Sequence, residues 1–289
     1  MQINEIEPPI LFSLIVATYG RLEEVDLLFK SLLQQDIGLD KFEVVLVDQN
    51  ESDGLLEVVE RYSNGLDIKH IRSERKGLSY NRNIGMAVAA GAYICFPDDD
   101  CTYYPDTLST AYKHLEKKHV SVVFGAIRDR DTGENIIRNW PTKNKRLKRH
   151  NFFSLYSSIT LFSKRNSLMF NEKLGVGCYF GSYEDCEYVY SAIGKVGGCY
   201  YFSDLEVWHP KAGIKNFTTE KNKSYGLGFG AFCAIHRFDP LIMTLFFMAV
   251  GYHLLLSTWS LIKLDLDSSK KRWQAATSRV RGFIEYQMR

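Results

Sequence analysis

Apolar residues fall into two alternating rhythms over the first 130 or so positions. Phe12 to Ala17 is a short run rich in β-branched residues, and it predicts a buried strand. Leu22 to Gln35 follows with Leu22, Val25, Leu28, Phe29 and Leu32 at helical spacing. The same exchange repeats with a strand at Val44 to Val47, a helix at Leu55 to Tyr62, a strand at Ile68 to Ile71 and a helix at Ser79 to Ala90. It ends with a strand at Tyr93 to Phe96, a helix over Pro105 to Lys118 and a strand at Val120 to Ile127. Strand–helix alternation predicts an α/β domain with a mainly parallel sheet covered by helices on both faces. After residue 128 the rhythm breaks. Arg128 to His150 is polar and basic (Lys143, Lys145, Arg146, Lys148, Arg149), which predicts a loop or excursion. Such a charge run is either a solvated face or a patch facing substrate or membrane. Regular structure is expected again from Asn151 to about Pro210, with a strand at Val196 to Phe202.

The last segment differs in kind. Leu241 to Ile262 carries no charged residue over roughly the length of a membrane span, but Thr244, Gly251, His253, Ser257, Thr258 and Ser260 make it a poor spanning helix. Lys263, Lys270, Lys271, Arg272, Arg279 and Arg281 follow, with Trp259 and Trp273 near the junction. That pattern suits the headgroups of an anionic membrane surface, met peripherally or by a re-entrant helix; a helical hairpin packed on the domain is the alternative.

Composition changes the picture little. The chain has 289 residues, 45% hydrophobic and 24% charged, enough for one large domain and an appendage. A net charge of +2 and the lack of any nucleic-acid motif argue against nucleic acid as a partner. Six cysteines form no CxxC pair, and Met1 to Pro9 lacks a basic-then-apolar leader, so a reducing cytoplasmic setting is expected.

The candidate chemistry lies where strands end, the usual place for ligands in open α/β sheets. Asp98-Asp99-Asp100 directly follows the strand ending near Phe96. Three adjacent carboxylates repel one another, and a hard divalent cation (Mn²⁺ or Mg²⁺) would relieve this, although an acidic helix cap is the plainer reading. Thr18-Tyr19-Gly20-Arg21 ends the first strand, offering an aromatic face for a base and a cation for phosphate. Asp48 to Gly54 ends the second, where a carboxylate could accept from a pyrimidine imide. Gly77 to Gly85, with Arg82, opens a helix and would favour an anion.

Together these segments resemble, motif for motif over about residues 12 to 210, a family 2 glycosyltransferase of the GT-A fold. Asp48 with Asp53-Gly54 is similar to the family's second aspartate loop, and Asp98 to Asp100 stands where it carries a metal-binding Asp-x-Asp. The second loop departs from the commoner pattern by reading Asp-Gln-Asn-Glu. The resemblance implies that Thr18 and Arg21 lie at the nucleotide, that Tyr19 stacks near the base, and that Asp48 holds the imide. It implies that Arg82 contacts the nucleotide, Asp98 faces the ribose, Asp100 ligates the metal and Asp99 supports both. Gly181 to Glu187 resembles the family's Glu-Asp motif at a helix start, which makes Asp185 the expected general base, with Glu184 positioning the acceptor or serving instead. His209, in Trp208-His209-Pro210, is a further expected metal ligand, because GT-A enzymes often supply a late histidine.

The expected protein is therefore an inverting, metal-dependent transferase using a UDP-sugar (or a dTDP-sugar) and a saccharide or lipid-linked acceptor, peripheral at the inner face of the cell membrane. Residues 1–215 form the expected transferase domain, with a nucleotide half near 10–128 and an acceptor half near 129–215; residues 216–289 form the helical appendage. A nucleotidyltransferase on a similar fold and a non-catalytic sugar-nucleotide binder are the alternatives. A processive synthase fits less well, since Arg272-Trp273 has Ser269 where that motif carries glutamine. Gly226 to Gly230 is expected either as a mobile loop or as a site of close packing.

Overall fold

A computed structural model describes residues 10–211 and 219–288. The expected domain boundary at 215 and the Met1 to Pro9 segment lie outside the described residues. The chain divides into two compact units: residues 1–76, 80–169 and 189–212 form one, and 77–79, 170–188 and 213–289 form the other.

The first unit contains the sheet. In chain order it holds β1 (Phe12–Thr18), α1 (Glu23–Leu32), β2 (Phe42–Asp48), α2 (Gly54–Tyr62), β3 (Asp67–Arg72) and most of α3 (Leu78–Val88). Then come β4 (Tyr93–Cys95), β5 (Thr102–Tyr103), α4 (Thr107–Leu115), β6 (Val122–Asp129), β7 (Glu134–Asn135), β8 (Lys145–Arg146) and β9 (Phe162–Lys164). After the first turns of α5 (Glu184–Lys195), the chain returns to this unit and adds β10 (Cys199–Trp208).

The strand order is β3-β2-β1-β4-β9-β6-β10-β5. Strands β3, β2, β1 and β4 run parallel, as the alternating pattern requires. The other half is mixed. β9 lies antiparallel between β4 and β6, and β5 antiparallel beside β10, while β6 and β10 are parallel. Neither β5 nor β9 has enough apolar residues to declare itself in sequence. β6 and β10 run in the same direction as β1 to β4, so the sheet is mainly parallel as expected, with β9 and β5 as its antiparallel members. Every residue of β1 except Ala17 and every residue of β2 is buried, which is why both read as continuous apolar runs. The polar excursion after residue 128 is also partly ordered, because β7 pairs with β6 and β8 with β10.

Two polar residues interrupt that apolar core, and both are satisfied. Glu43 is fully buried in β2; its Oε1 accepts from the Ser13 hydroxyl at 2.5 Å and the Ala90 N–H at 2.6 Å. Lys69 Nζ stands 2.5 Å from its other oxygen, and Gly91 N–H donates to Ser13 Oγ at 2.8 Å. The network ties β1 and β2 to the turn that feeds β4. Burial opposes the Glu43 charge, but the Lys69, Ser13 and Ala90 hydrogen bonds outweigh it and hold the carboxyl below its ordinary range. Stability from a depressed carboxyl is present above the ordinary Glu range and is lost as pH falls through it. Glu43→Ala should cost about 3 kcal/mol at pH 7, because it strands buried donors and a cation. Urea titrations of both proteins should show the gap narrowing as pH is lowered toward 3; a constant gap would refute the assignment.

The second unit is built on α6 (Thr219–Ile235), α7 (Pro240–Ile262) and α8 (Leu266–Met288), with the 170–188 segment beside them. Asp239 caps α7, accepting from Leu241 N–H, and Pro240 takes the first helical position. The glycines at 226, 228 and 230 are helical, so the mobile-loop expectation fails and close packing explains them. A Cβ on Gly230 would lie 2.1 Å from the Arg279 carbonyl oxygen, and one on Gly226 would lie 2.0 Å from Ser278 Oγ. Across the same seam, a Cβ on Gly282 would lie 2.2 Å from the Leu227 carbonyl oxygen. Small residues four apart on α6 and α8 thus bring the two backbones together, in the manner of helices packed through glycine stripes.

Candidate active site

Sheet register gathers the site in the first unit. Thr18 sits beside Asp48, and Asp48 beside Arg72, at the carboxyl ends of β1, β2 and β3. Leu14 pairs with Cys95 across β1 and β4, so continuing both chains by four residues brings Thr18 to Asp99. Thr18 Oγ1 indeed donates to Asp99 Oδ2 at 2.8 Å. On the other side Trp208 of β10 pairs with Thr102 of β5, which carries His209 back to the triple aspartate.

Asp98, Asp100 and His209 converge there, with one potential ligand atom from each lying within 4.8 Å of the others. His209 Nε2 is 3.2 Å from Asp100 Oδ1, and Arg21 Nη2 is 3.2 Å from Asp100 Oδ2. The His209 Nδ1–H donates to the Pro210 carbonyl oxygen at 2.7 Å, which leaves Nε2 as the atom facing the carboxylates. The His209 hydrogen bond, opposed by burial and aided by the His209 and Arg21 charges, holds the Asp100 carboxyl below its usual range. Burial pushes the Asp99 carboxyl up, against the Thr18 hydrogen bond. Burial also disfavours charge on His209, yet the Asp100 hydrogen bond and charge raise it overall. One carboxylate is thus kept ionised at the centre by a histidine and an arginine. Two carboxylates and an oriented imidazole are a donor set that fits Mn²⁺ or Mg²⁺.

The remaining expected residues stand around this cluster. Arg82 is buried, 1% exposed, and its guanidinium donates to Asp98 Oδ1 at 2.9 Å, so the sequence-expected nucleotide cation holds an aspartate. Tyr19 is more than half exposed at the strand end; Lys76 Nζ donates to its hydroxyl at 2.9 Å and lies 4.5 Å from its ring centre. Asp48 is fully buried, with Oδ1 accepting from both the backbone N–H and the side-chain amide of Asn50 at 2.8 Å. Its Oδ2 faces His70 Nε2 at 3.1 Å and Arg72 Nη1 at 3.5 Å. Asn50 Oδ1 in turn accepts from Gly20 N–H at 2.7 Å, so this side chain bridges the first two strand ends. For an imide to reach Asp48, the Asn50 amide must yield its place. Sequence reasoning missed His70, Arg72, Asn50 and Lys76. His70 and Arg72 could have been found, since they alternate along one face of a strand whose end adjoins Asp48.

Asp185 and Glu184 lie in the second unit, in the first turn of α5. Glu184 is buried, whereas Asp185 is partly exposed. The loop before them is tightly held. Tyr183 has φ of 71°, a strained value for a bulky side chain, and its ring packs against Phe229 and Phe232 of α6 at 5.4 and 5.9 Å. A Cβ on Gly228 would stand 2.5 Å from the Ser182 carbonyl oxygen, and one on Gly175 (φ 104°) would stand 3.1 Å from Glu184 Cδ.

Residues 13–176 match the family described as "Glycosyl transferase family 2". The chain belongs to this glycosyltransferase family. Membership sets aside the nucleotidyltransferase alternative. The family chain is 33% identical over 114 residues to poly(ribitol-phosphate) beta-N-acetylglucosaminyltransferase TarS of Staphylococcus aureus, covering 39% of this chain and 20% of that protein. It is 26% identical over 162 residues to cholesterol galactosyltransferase of Borreliella burgdorferi, covering 53% and 44%. The chain thus spans from a fifth to under half of the length of these relatives. Crystal structures of TarS 1–349, alone and with UDP, superpose with TM-scores of 0.61 and 0.59 at 19% identity. They cover 93% and 96% of this chain and 91% and 92% of theirs. A mannosyltransferase of Pyrobaculum calidifontis in complex with GDP-Man and Mn²⁺ gives 0.61 at 16% identity, covering 96% and 86%. At such identities the likeness shows the fold, which is the GT-A fold of this transferase family.

Proposed function

We propose that this family 2 member is an inverting, metal-dependent glycosyltransferase that moves one sugar from a UDP-sugar to a saccharide or lipid-linked acceptor. The observation that carries this reading is the convergence of Asp98, Asp100 and His209 beside the ends of β1 and β2. In this reading Asp98, Asp100 and His209 hold a divalent cation, Mn²⁺ or Mg²⁺, which when bound offsets the charge growing on the departing diphosphate. Thr18, through Asp99, and Arg82, through Asp98, fix the carboxylates before any ligand arrives, so little ordering is left to do at binding. Tyr19 offers its exposed ring to the base and Asp48 its carboxylate to the imide, while Arg21 balances the phosphates. Asp185, the more accessible of its pair, takes the proton from the acceptor hydroxyl, and buried Glu184 orients the acceptor or its neighbour. UDP is favoured over dTDP because TarS has been crystallised with UDP and with UDP-GlcNAc.

The second unit supports a setting at the inner face of the membrane. Helix α7 has a mean hydropathy of 1.8 over its most apolar window, of which only 17% is buried. Phe247, Leu255, Trp259 and Ile262 are more than half exposed, and Lys263, Lys270, Lys271 and Arg272 follow. Such a face suits peripheral seating on an anionic leaflet and brings a lipid-linked acceptor within reach.

Calorimetric titration of UDP tests the donor site. Binding is expected with Mn²⁺ and should weaken at least tenfold in its absence; equal binding in both conditions, or none of UDP and dTDP, would overturn the reading. The base loop has its own test. Gly228→Ala should press on Ser182 and lower turnover by roughly tenfold to a hundredfold with UDP binding unchanged, since small misplacements of a reacting group are costly. Unaltered turnover in a folded variant would show that α6 does not set the position of Asp185.

A further inference from the structure

Between Glu134 and Glu172 the chain contains no acidic residue, yet it carries eight lysines and arginines. The rest of the chain carries 28 basic and 34 acidic residues, so the basic excess is confined to this stretch. Five of the eight (Lys143, Lys145, Arg146, Lys148 and Arg149) fall in one exposed stretch, followed by exposed His150. This stretch is ordered by backbone contacts that leave the charges outward. Arg146 and Lys145 form β8 and pair with Tyr200 and Tyr201 of β10. Leu147, buried, donates its N–H to the Cys199 carbonyl oxygen at 2.9 Å. Asn151 closes the turn, accepting from Lys148 N–H at 2.8 Å and donating to the Arg146 carbonyl at 3.2 Å.

Arg146 and Lys148 flank buried Leu147, and both are exposed. They line, with Arg149, a cavity of about 350 Å³ whose other walls include Gly197, Gly198 and Cys199. No acidic side chain contributes to it. Among the described residues Lys143, Lys145, Arg146 and Lys148 enter no ion pair. Arg149 is used differently: it lies 5.1 Å from the Tyr190 ring and packs against Gly194. Among the described residues no acidic side chain pairs with the other four, and cations grouped without counter-charge repel one another unless an anion joins them.

We infer that the Arg146–Lys148 cavity and its flanking lysines, at the amino end of β10 and so at the sheet edge opposite His209, bind a soluble polyanion, a chain bearing repeated phosphate groups. A membrane is the wrong partner for this face. Pro141 and Leu147 are the only apolar residues from 141 to 150, neither is exposed, and no large apolar side chain stands ready to enter a bilayer. The apolar helix α7 has that property, and this stretch has only charge and guanidinium. Repeated phosphates match cations spaced along an extended segment, and each neutralised phosphate releases counterions. The inference does not rest on the transferase reading.

The test uses linear inorganic polyphosphate and the full chain. Binding is expected by calorimetry, with an affinity that falls steeply as salt is raised. R146E/K148E should weaken it at least tenfold and flatten the salt dependence, whereas the charge-keeping R146K/K148R should retain it. Mn²⁺-dependent UDP binding, measured on the same preparations, should be unchanged; this confirms the fold and separates failure here from failure of the donor site. The inference is overturned if wild-type protein does not bind polyphosphate, if neutral dextran binds equally, or if R146E/K148E binds polyphosphate normally. It is overturned as well if that variant loses only its binding to phosphatidylglycerol vesicles.

Discussion

Asp100→Ala should abolish metal-dependent UDP binding and lower sugar transfer by about a thousandfold or more. The carboxylate lies at the centre of the cluster, 3.2 Å from both His209 Nε2 and Arg21 Nη2. Without it Arg21 and His209 lose the carboxylate between them, and an entering divalent ion loses one of its two carboxylate ligands. A metal that stabilises a leaving diphosphate contributes several kcal/mol to the barrier, and each 1.36 kcal/mol is about tenfold in rate. Asp100→Asn keeps the shape without the charge and should lose nearly as much, which separates electrostatics from packing. The measurement is UDP calorimetry with and without Mn²⁺, alongside product formation from a panel of UDP-sugars. Full activity in folded Asp100→Ala protein would remove the basis of the proposed mechanism.

Asp185→Asn is the second large effect, and its signature differs. Transfer should fall by about a hundredfold to ten-thousandfold, the usual contribution of a positioned general base. UDP binding should persist, because nothing in the donor chemistry passes through this residue. Glu184→Gln supplies the comparison. Glu184 is buried and packed near Gly175, whereas Asp185 is partly exposed. A loss in kcat confined to Asp185→Asn assigns the base to it; a greater loss in Glu184→Gln reverses the pair. Retention of full turnover in both would leave the base elsewhere.

How much of this was legible in the chain depends on whether contacts were local in sequence. Strands β1 to β4 and helices α1 to α4 announced themselves because each carries its own apolar period. The ends of those strands, and hence Thr18, Asp48 and the triple aspartate, were therefore placed within a residue or two. β5 and β9 were not, since two- and three-residue strands owe their pairing to neighbours far along the chain. The pairing of β5 with β10 is what brings His209 to Asp100, and only a resemblance could suggest it beforehand. Arg82 was found but its hydrogen bond to Asp98 was not, because a motif gives the residue without its partners in the fold. The glycines of α6 gave the clearest ambiguity. Glycine lowers helix propensity, so a loop was a fair expectation until the α8 backbone was seen pressed against them.

The grouping of residues 170–188 with the three C-terminal helices has a practical corollary. Trimming the apolar tail is a common way to make such a protein easier to handle. Here it would unseat Tyr183, whose strained backbone is balanced by two rings of α6. A shortened protein ending near residue 211 would keep the sheet and lose the helix on which the Tyr183 loop packs. For chimeras the useful breakpoints are likewise at 169/170 and 188/189, with the helices travelling alongside, so that the Tyr183 loop is inherited with the helix that holds it.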